Sequence, residues 1–123
     1  DIIECTGVLH HMLEPSVGWR GLVDILNPGG LMQIGLYSDL ARRHITKVKD
    51  EIASKKIGCT ENEIRAFRRF LAESREGSHM KITTHLDFFS MSELRDLLFH
   101  AQEHRFTIPQ IKQLLQKLGL DCI

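Results

Sequence analysis

Cysteine is scarce: the 123 residues hold three, Cys5, Cys59 and Cys122, widely spaced and without a C-x-x-C pair. That spacing excludes a disulfide framework and a cysteine-rich zinc site, and makes a reducing, cytoplasmic setting the expectation. Excess charge of either sign is missing too, sixteen Lys and Arg facing sixteen Asp and Glu. A balanced chain does not read as a generally basic nucleic-acid binder, and the sequence carries no strong nucleic-acid signal. No run approaches the roughly 18 apolar residues of a membrane span, and no basic stretch with a cleavage site opens the chain, so no membrane partner is expected. Internal repeats and low-complexity tracts are lacking. There is no initiator Met, and the chain opens inside an apolar run, Asp1-Ile2-Ile3, which reads as a piece of a longer protein. What remains is a globular composition, 42% hydrophobic and 26% charged, sized for one domain rather than a disordered tail.

Charge is unevenly placed. Residues 1–38 come to −3, residues 39–81 to +4 and residues 82–123 to −1. The basic middle reads as a solvated helical face, or as a mild attraction for an anionic substrate; it is too dilute for a nucleic-acid footprint. Asp1 to Cys5 reads as a short strand closed by Thr6-Gly7, with β-branched Ile2 and Ile3 in a brief apolar run. Pro15-Ser16 starts a helix whose Trp19, Leu22, Val23 and Leu26 recur at i, i+3, i+4 and i+7. Asn27-Pro28-Gly29-Gly30 stops it, because Pro cannot continue a helix and glycine permits positive φ. Leu31 to Tyr37 then reads as a strand covered on both faces, as in a parallel sheet. Strand, helix, turn and strand make a βαβ unit.

The remainder reads as helical, and more helix than strand is expected overall. Leu40, His44, Ile45, Val48 and Ile52 mark a helix ending near Ile57-Gly58. Thr60-Glu61-Asn62-Glu63 has the form of a capping box before Ile64, Phe67 and Leu71. Residues 76–84 read as a loop. Ser90 to Glu93 is a second box opening a helix with Leu94, Leu97, Leu98 and Ala101 inward. Thr107-Ile108-Pro109 begins a last helix, Gly119 is placed to end it, and Leu120 to Ile123 look like the start of another strand.

The stretch Asp1-Ile2-Ile3-Glu4-Cys5-Thr6-Gly7-Val8-Leu9-His10-His11, followed by Leu26-Asn27-Pro28-Gly29-Gly30-Leu31, resembles the fourth strand, following turn and pre-fifth-strand bend of class I S-adenosylmethionine-dependent methyltransferases. Residues 95–107 also look like a helical region that follows the fifth strand in some bacterial members. The resemblance implies an α/β fold, part of a doubly wound, Rossmann-like sheet that holds its cofactor beyond the strand ends. It divides the chain into a core βαβ at 1–38, a helical insertion or lid at 39–90 and C-terminal helices at 91–123. The glycine-rich loop and the ribose-binding acidic residue of that family lie upstream of the fourth strand, so the fragment alone is expected to be inactive.

Carried onto this sequence, the resemblance places Cys5, Thr6 and Gly7 beside the S-adenosylmethionine cofactor and His10 towards the methyl acceptor, where it is a candidate general base. His11 reads as structural. Tyr37 and Ser38, at the end of the next strand, are candidates to line the substrate pocket. The acceptor itself is not identified. Each residue also has a plainer reading, His10 as a backbone-bonded residue at a strand end and Tyr37 as packing.

Two further patterns compete. His100-Ala101-Gln102-Glu103-His104 fits H-x-x-E-H, with the two His on one helical face, but only Asp121 lies downstream as a third ligand, so no metal is expected. Phe67, Phe70, Phe88, Phe89, Phe99 and Phe106 suit a helical core, or a hydrophobic substrate pocket or partner groove. Removing the upstream strands exposes the edges of strands 1–5 and 31–37, so a homo-oligomer is expected when the piece is studied alone. The alternative to an enzyme is a noncatalytic helical interaction or dimerisation module carrying a methyltransferase remnant.

Overall fold

The computed structural model describes residues 1–100 and 102–123. In chain order the elements are β1 (Ile2–Thr6), a 3-10 turn (Leu9–His11), α1 (Pro15–Ile25), β2 (Leu31–Gly35), β3 (Tyr37–Ser38), α2 (Arg43–Ser54) and α3 (Glu61–Glu73). They continue with α4 (Gly77–Ile82), a second 3-10 turn (Leu86–Phe89), α5 (Met91–Phe99), β4 (Arg105–Phe106) and α6 (Ile108–Leu118). Among the described residues the fold is mixed α/β and helix-rich, with two small parallel sheets. It divides into two compact units, Asp1–Ala41 with Gln102–Ile123, and Arg42–Ala101.

In the first unit β1 and β2 pair in parallel, from Ile2 opposite Leu31 to Thr6 opposite Gly35. Helix α1 crosses between them and ends where the Leu26 N–H turns back to Val23 C=O. The Pro-Gly-Gly bend follows, closed by Gly30 N–H donating to Asn27 C=O at 2.8 Å. The core gathers Leu9, Trp19 and Leu118 with Leu22, Met32 and Ile34, so α1 and α6 both pack on the sheet. Both strands alternate in burial, leaving Ile2 74% and Leu31 50% exposed. The expectation of a strand covered on both faces is therefore not met in this unit, where Leu31 and Gln33 of β2 stay exposed between half-buried neighbours. Nor is Leu31 to Tyr37 one strand. It breaks at Leu36, and β3 leaves β2 to pair in parallel with β4.

The second unit has a separate core, in which Ile45, Ile64, Leu71, Ile82 and Leu94 are fully buried. Burying each such side chain contributes about 1.5–3 kcal/mol over leaving it in water. Helix α3 is entered through a complete capping box, Thr60 accepting from Glu63 N–H while the Glu63 carboxylate accepts from Thr60 N–H. Helix α2 begins at Arg43, and Leu40 of the expected stripe is exposed in the turn before it. Residues 76–84, read from the sequence as a loop, hold α4. The Glu76 carboxylate accepts from Ser78 N–H at 2.7 Å and His79 N–H at 2.9 Å, and Ile82 anchors the helix in the core.

Helix α6 starts at the Thr107 box and ends at Gly119, whose φ of +71° lets Leu120 N–H return to Leu115 C=O at 3.0 Å. No strand follows; after that reversal residues 120–123 are irregular. Helix α5 stops at Phe99, and Ala101, expected on its inner face, lies outside the described residues. Among the described residues no helix is long and apolar enough to cross a membrane.

Candidate functional site at the strand ends

The parallel register sets Thr6 beside Gly35, so β1 and β2 end side by side. Gly7 follows at φ +78°, a left-handed conformation that side chains resist, and swings the chain into the 3-10 turn. A Cβ built on Gly7 meets nothing within 4 Å, so the space over this turn is open. Thr6 and Gly7 are exposed there, whereas Cys5 is half-buried and packs against the Leu9–Trp19 core. All three cysteines are free thiols.

The turn delivers His10 to the interior, 1% exposed. Its ring stacks on Tyr37, with centroids 3.8 Å apart and planes inclined by 28°. His11 lies 4.3 Å from His10 and meets Tyr37 edge-on at 6.1 Å. The structure thus brings together His10 and Tyr37, chosen from two different strand ends, and adds His11. Ser38 goes elsewhere: it is exposed, and its hydroxyl accepts from Ala41 N–H at 3.3 Å to shape the following turn.

Sequence reasoning missed the segment that closes this cluster. His104 N–H donates to His10 C=O at 2.8 Å, Gln102 Nε2 donates to Met12 C=O at 3.3 Å, and Arg105 lies opposite Tyr37 in the β3–β4 pair. The H-x-x-E-H pattern places His100 and His104 on one face of a helix. The backbone at His100 is extended (φ −64°, ψ 131°) and Arg105–Phe106 form a strand, so the two His do not share a helical face. Among the described residues no three His, Cys, Asp or Glu side chains converge as a metal site.

A cavity of about 430 Å³ opens in the same unit, lined by Trp19, Leu26, the Asn27–Gly30 bend, Leu115 and Leu120. It sits at the start of β2, the opposite end of the sheet from Thr6 and Gly35. A second polar cluster, unannounced by any motif, lies in the Arg42–Ala101 unit. His79 of α4 reaches Glu51 of α2 and Ser74 at the end of α3. Its three members come from separate elements, 23 and five residues apart, so spacing alone gave no signal.

No protein-family model matches the chain. Over 53 residues it is 40% identical to an uncharacterized protein of Synechococcus sp., a match covering 43% of this chain and only 13% of that protein's length.

Proposed function

We propose that the chain forms part of an S-adenosylmethionine-dependent methyltransferase, with the ends of β1 and β2 as the floor of the cofactor cleft in a doubly wound, Rossmann-like sheet. The observation that carries this reading is the in-register parallel pairing of β1 and β2 across α1, with Gly7 in a left-handed turn where the strands end. Open sheets of this kind hold ligands beyond the carboxyl ends of their strands. Open space over Gly7 and the exposed Thr6 fit the close approach of a cofactor to that turn. The exposed Ile2 and Leu31 fit a sheet that receives further cover in a larger protein. The same exposure supports self-association of the isolated piece.

S-adenosylmethionine supplies a methyl carbon already activated by a positive sulfur. What this chain contributes is then position: Thr6 and Gly7 border the cofactor, and Tyr37 walls the acceptor side. His10 is the candidate base for an acceptor that must lose a proton. Because His10 is buried under Tyr37, the acceptor reaches it only when a covering side chain moves. The methyl acceptor is not identified by these residues, and a cytoplasmic setting belongs to the same reading.

A second reading has its own support. The Arg42–Ala101 unit possesses a complete helical core, as a noncatalytic interaction module requires. Calorimetric titration of the full-length protein with S-adenosylmethionine separates the two. Saturable binding that is weakened by Gly7→Val supports the methyltransferase, and absence of binding leaves the helical module.

A further inference from the structure

His79 is buried, 5% exposed, with both ring nitrogens engaged by side chains of other elements. Nε2 lies 2.5 Å from Glu51 Oε2 and Nδ1 lies 2.7 Å from Ser74 Oγ. Burial pushes the Glu51 carboxyl up, but hydrogen bonds from Lys55 and His79 outweigh it and hold the group below the ordinary carboxylate range. An ionised carboxylate only accepts hydrogen bonds. In the neutral imidazole Nε2 therefore carries the proton, Nδ1 is bare, and the Ser74 hydroxyl donates to it. The Ser74 oxygen accepts from Glu76 N–H at 3.2 Å, which leaves its own hydrogen for the imidazole.

That proton order is the one needed by a serine nucleophile with an adjacent base and a carboxylate orienting the base. The ring nitrogens are exchanged relative to the usual triad, but such centres are recognised by geometry and role. We propose that Ser74, His79 and Glu51 form a nucleophilic centre that hydrolyses small carboxylic esters with an apolar acyl group. The acyl preference comes from Phe70, which meets His79 edge-on at 5.3 Å and is half-exposed. Phe70 lines a groove of about 450 Å³ with Ile57, Phe67 and Lys55.

The step balances without any cofactor. Ser74 Oγ bonds to the acyl carbon as its proton passes to His79 Nδ1; the ester C–O bond breaks and the leaving alcohol takes that proton. Water, deprotonated by the same nitrogen, then cleaves the acyl-serine, releasing the carboxylic acid and restoring the Ser74 hydroxyl. Glu51 acts through His79 and is a positioning residue. The charged groups facing the imidazole are Glu51 and Lys55 from α2, the latter through Glu51, and Glu76 from the start of α4, whose carboxylate lies 3.9 Å from Nε2.

The test treats the full chain with diisopropyl fluorophosphate and locates the adduct by mass spectrometry. Labelling is expected on Ser74, about 100-fold faster than on the exposed Ser16, Ser54 and Ser92, the low end of what a general base supplies. His79→Gln is expected to remove that advantage. Glu51→Gln is expected to slow labelling and move its pH profile, with the helical circular dichroism retained. Hydrolysis of p-nitrophenyl acetate is expected to exceed that of the Ser74→Ala variant, a half-buried position whose truncation leaves the core intact.

Labelling of Ser74 no faster than of other serines overturns the proposal, as does a pH profile unmoved by Glu51→Gln. Labelling without ester turnover above the Ser74→Ala variant overturns the hydrolytic step. All three residues lie outside the strand-end site, so the outcome is independent of the methyltransferase reading.

Discussion

His10 illustrates how burial changes the meaning of a residue picked from a motif. Its place just past β1 was legible, because an apolar strand closed by Thr6-Gly7 must release the chain there. Its partner was not: the stack on Tyr37 depends on β3 leaving β2 after Leu36, which no periodicity announces. His10→Ala removes a ring from a packed contact and leaves a cavity, so a loss of about 2 kcal/mol is expected in urea unfolding of the chain. On the proposed methyltransferase reading, the same change in the full-length protein is expected to slow methyl transfer while sparing S-adenosylmethionine affinity. Lowered stability with unchanged turnover assigns His10 to packing alone. Ser38, the other strand-end candidate, spends its hydroxyl on a turn instead.

Among elements, those that cap themselves locally were the legible ones. The Thr60–Glu63 box read from the sequence forms, and Ser90 of the second box accepts from Glu93 N–H. At α6, announced by Thr107-Ile108-Pro109, Thr107 and Gln110 close a box that the sequence reading does not name. The Thr60 hydroxyl, with its own backbone N–H, holds the Glu63 carboxyl below the ordinary range, so the cap and the charge depend on each other. Thr60→Ala is expected to destabilise α3 by about 1 kcal/mol, read as a shift in the urea midpoint at unchanged slope. Helix α4 and strand β4 stayed hidden for the opposite reason. Six residues opening on Gly77 carry too little periodicity, and two residues of β4 acquire strand geometry only by lying beside β3.

For the molecule as a whole, the Arg42–Ala101 unit is expected to lose stability in acid. It holds Glu51, Glu61, Glu63 and Glu76, whose carboxyls all lie below the ordinary value of 4.5. Arg65 lowers Glu61, and the His79 N–H lowers Glu76. A carboxyl with a depressed folded value contributes stability that is full above its unfolded value and lost as pH falls through the folded one. Stability followed by helical circular dichroism is therefore expected to decline below about pH 4.5. Glu51→Gln is expected to flatten part of that decline; an unaltered acid limb refutes the role of the Glu51–His79 contact.

By itself the sequence determined the βαβ order, the Pro-Gly-Gly bend, the capped start of α3 and the start of α6. Each of these depends on residues within a few positions of one another, where backbone and capping chemistry act directly. Tertiary structure alone decided that residues 102–106 run beside His10 and Tyr37, that α5 and α6 belong to different units, and that Glu51, Ser74 and His79 meet. Those outcomes arise from contacts between distant segments, whose partners are chosen by packing and burial rather than by local pattern.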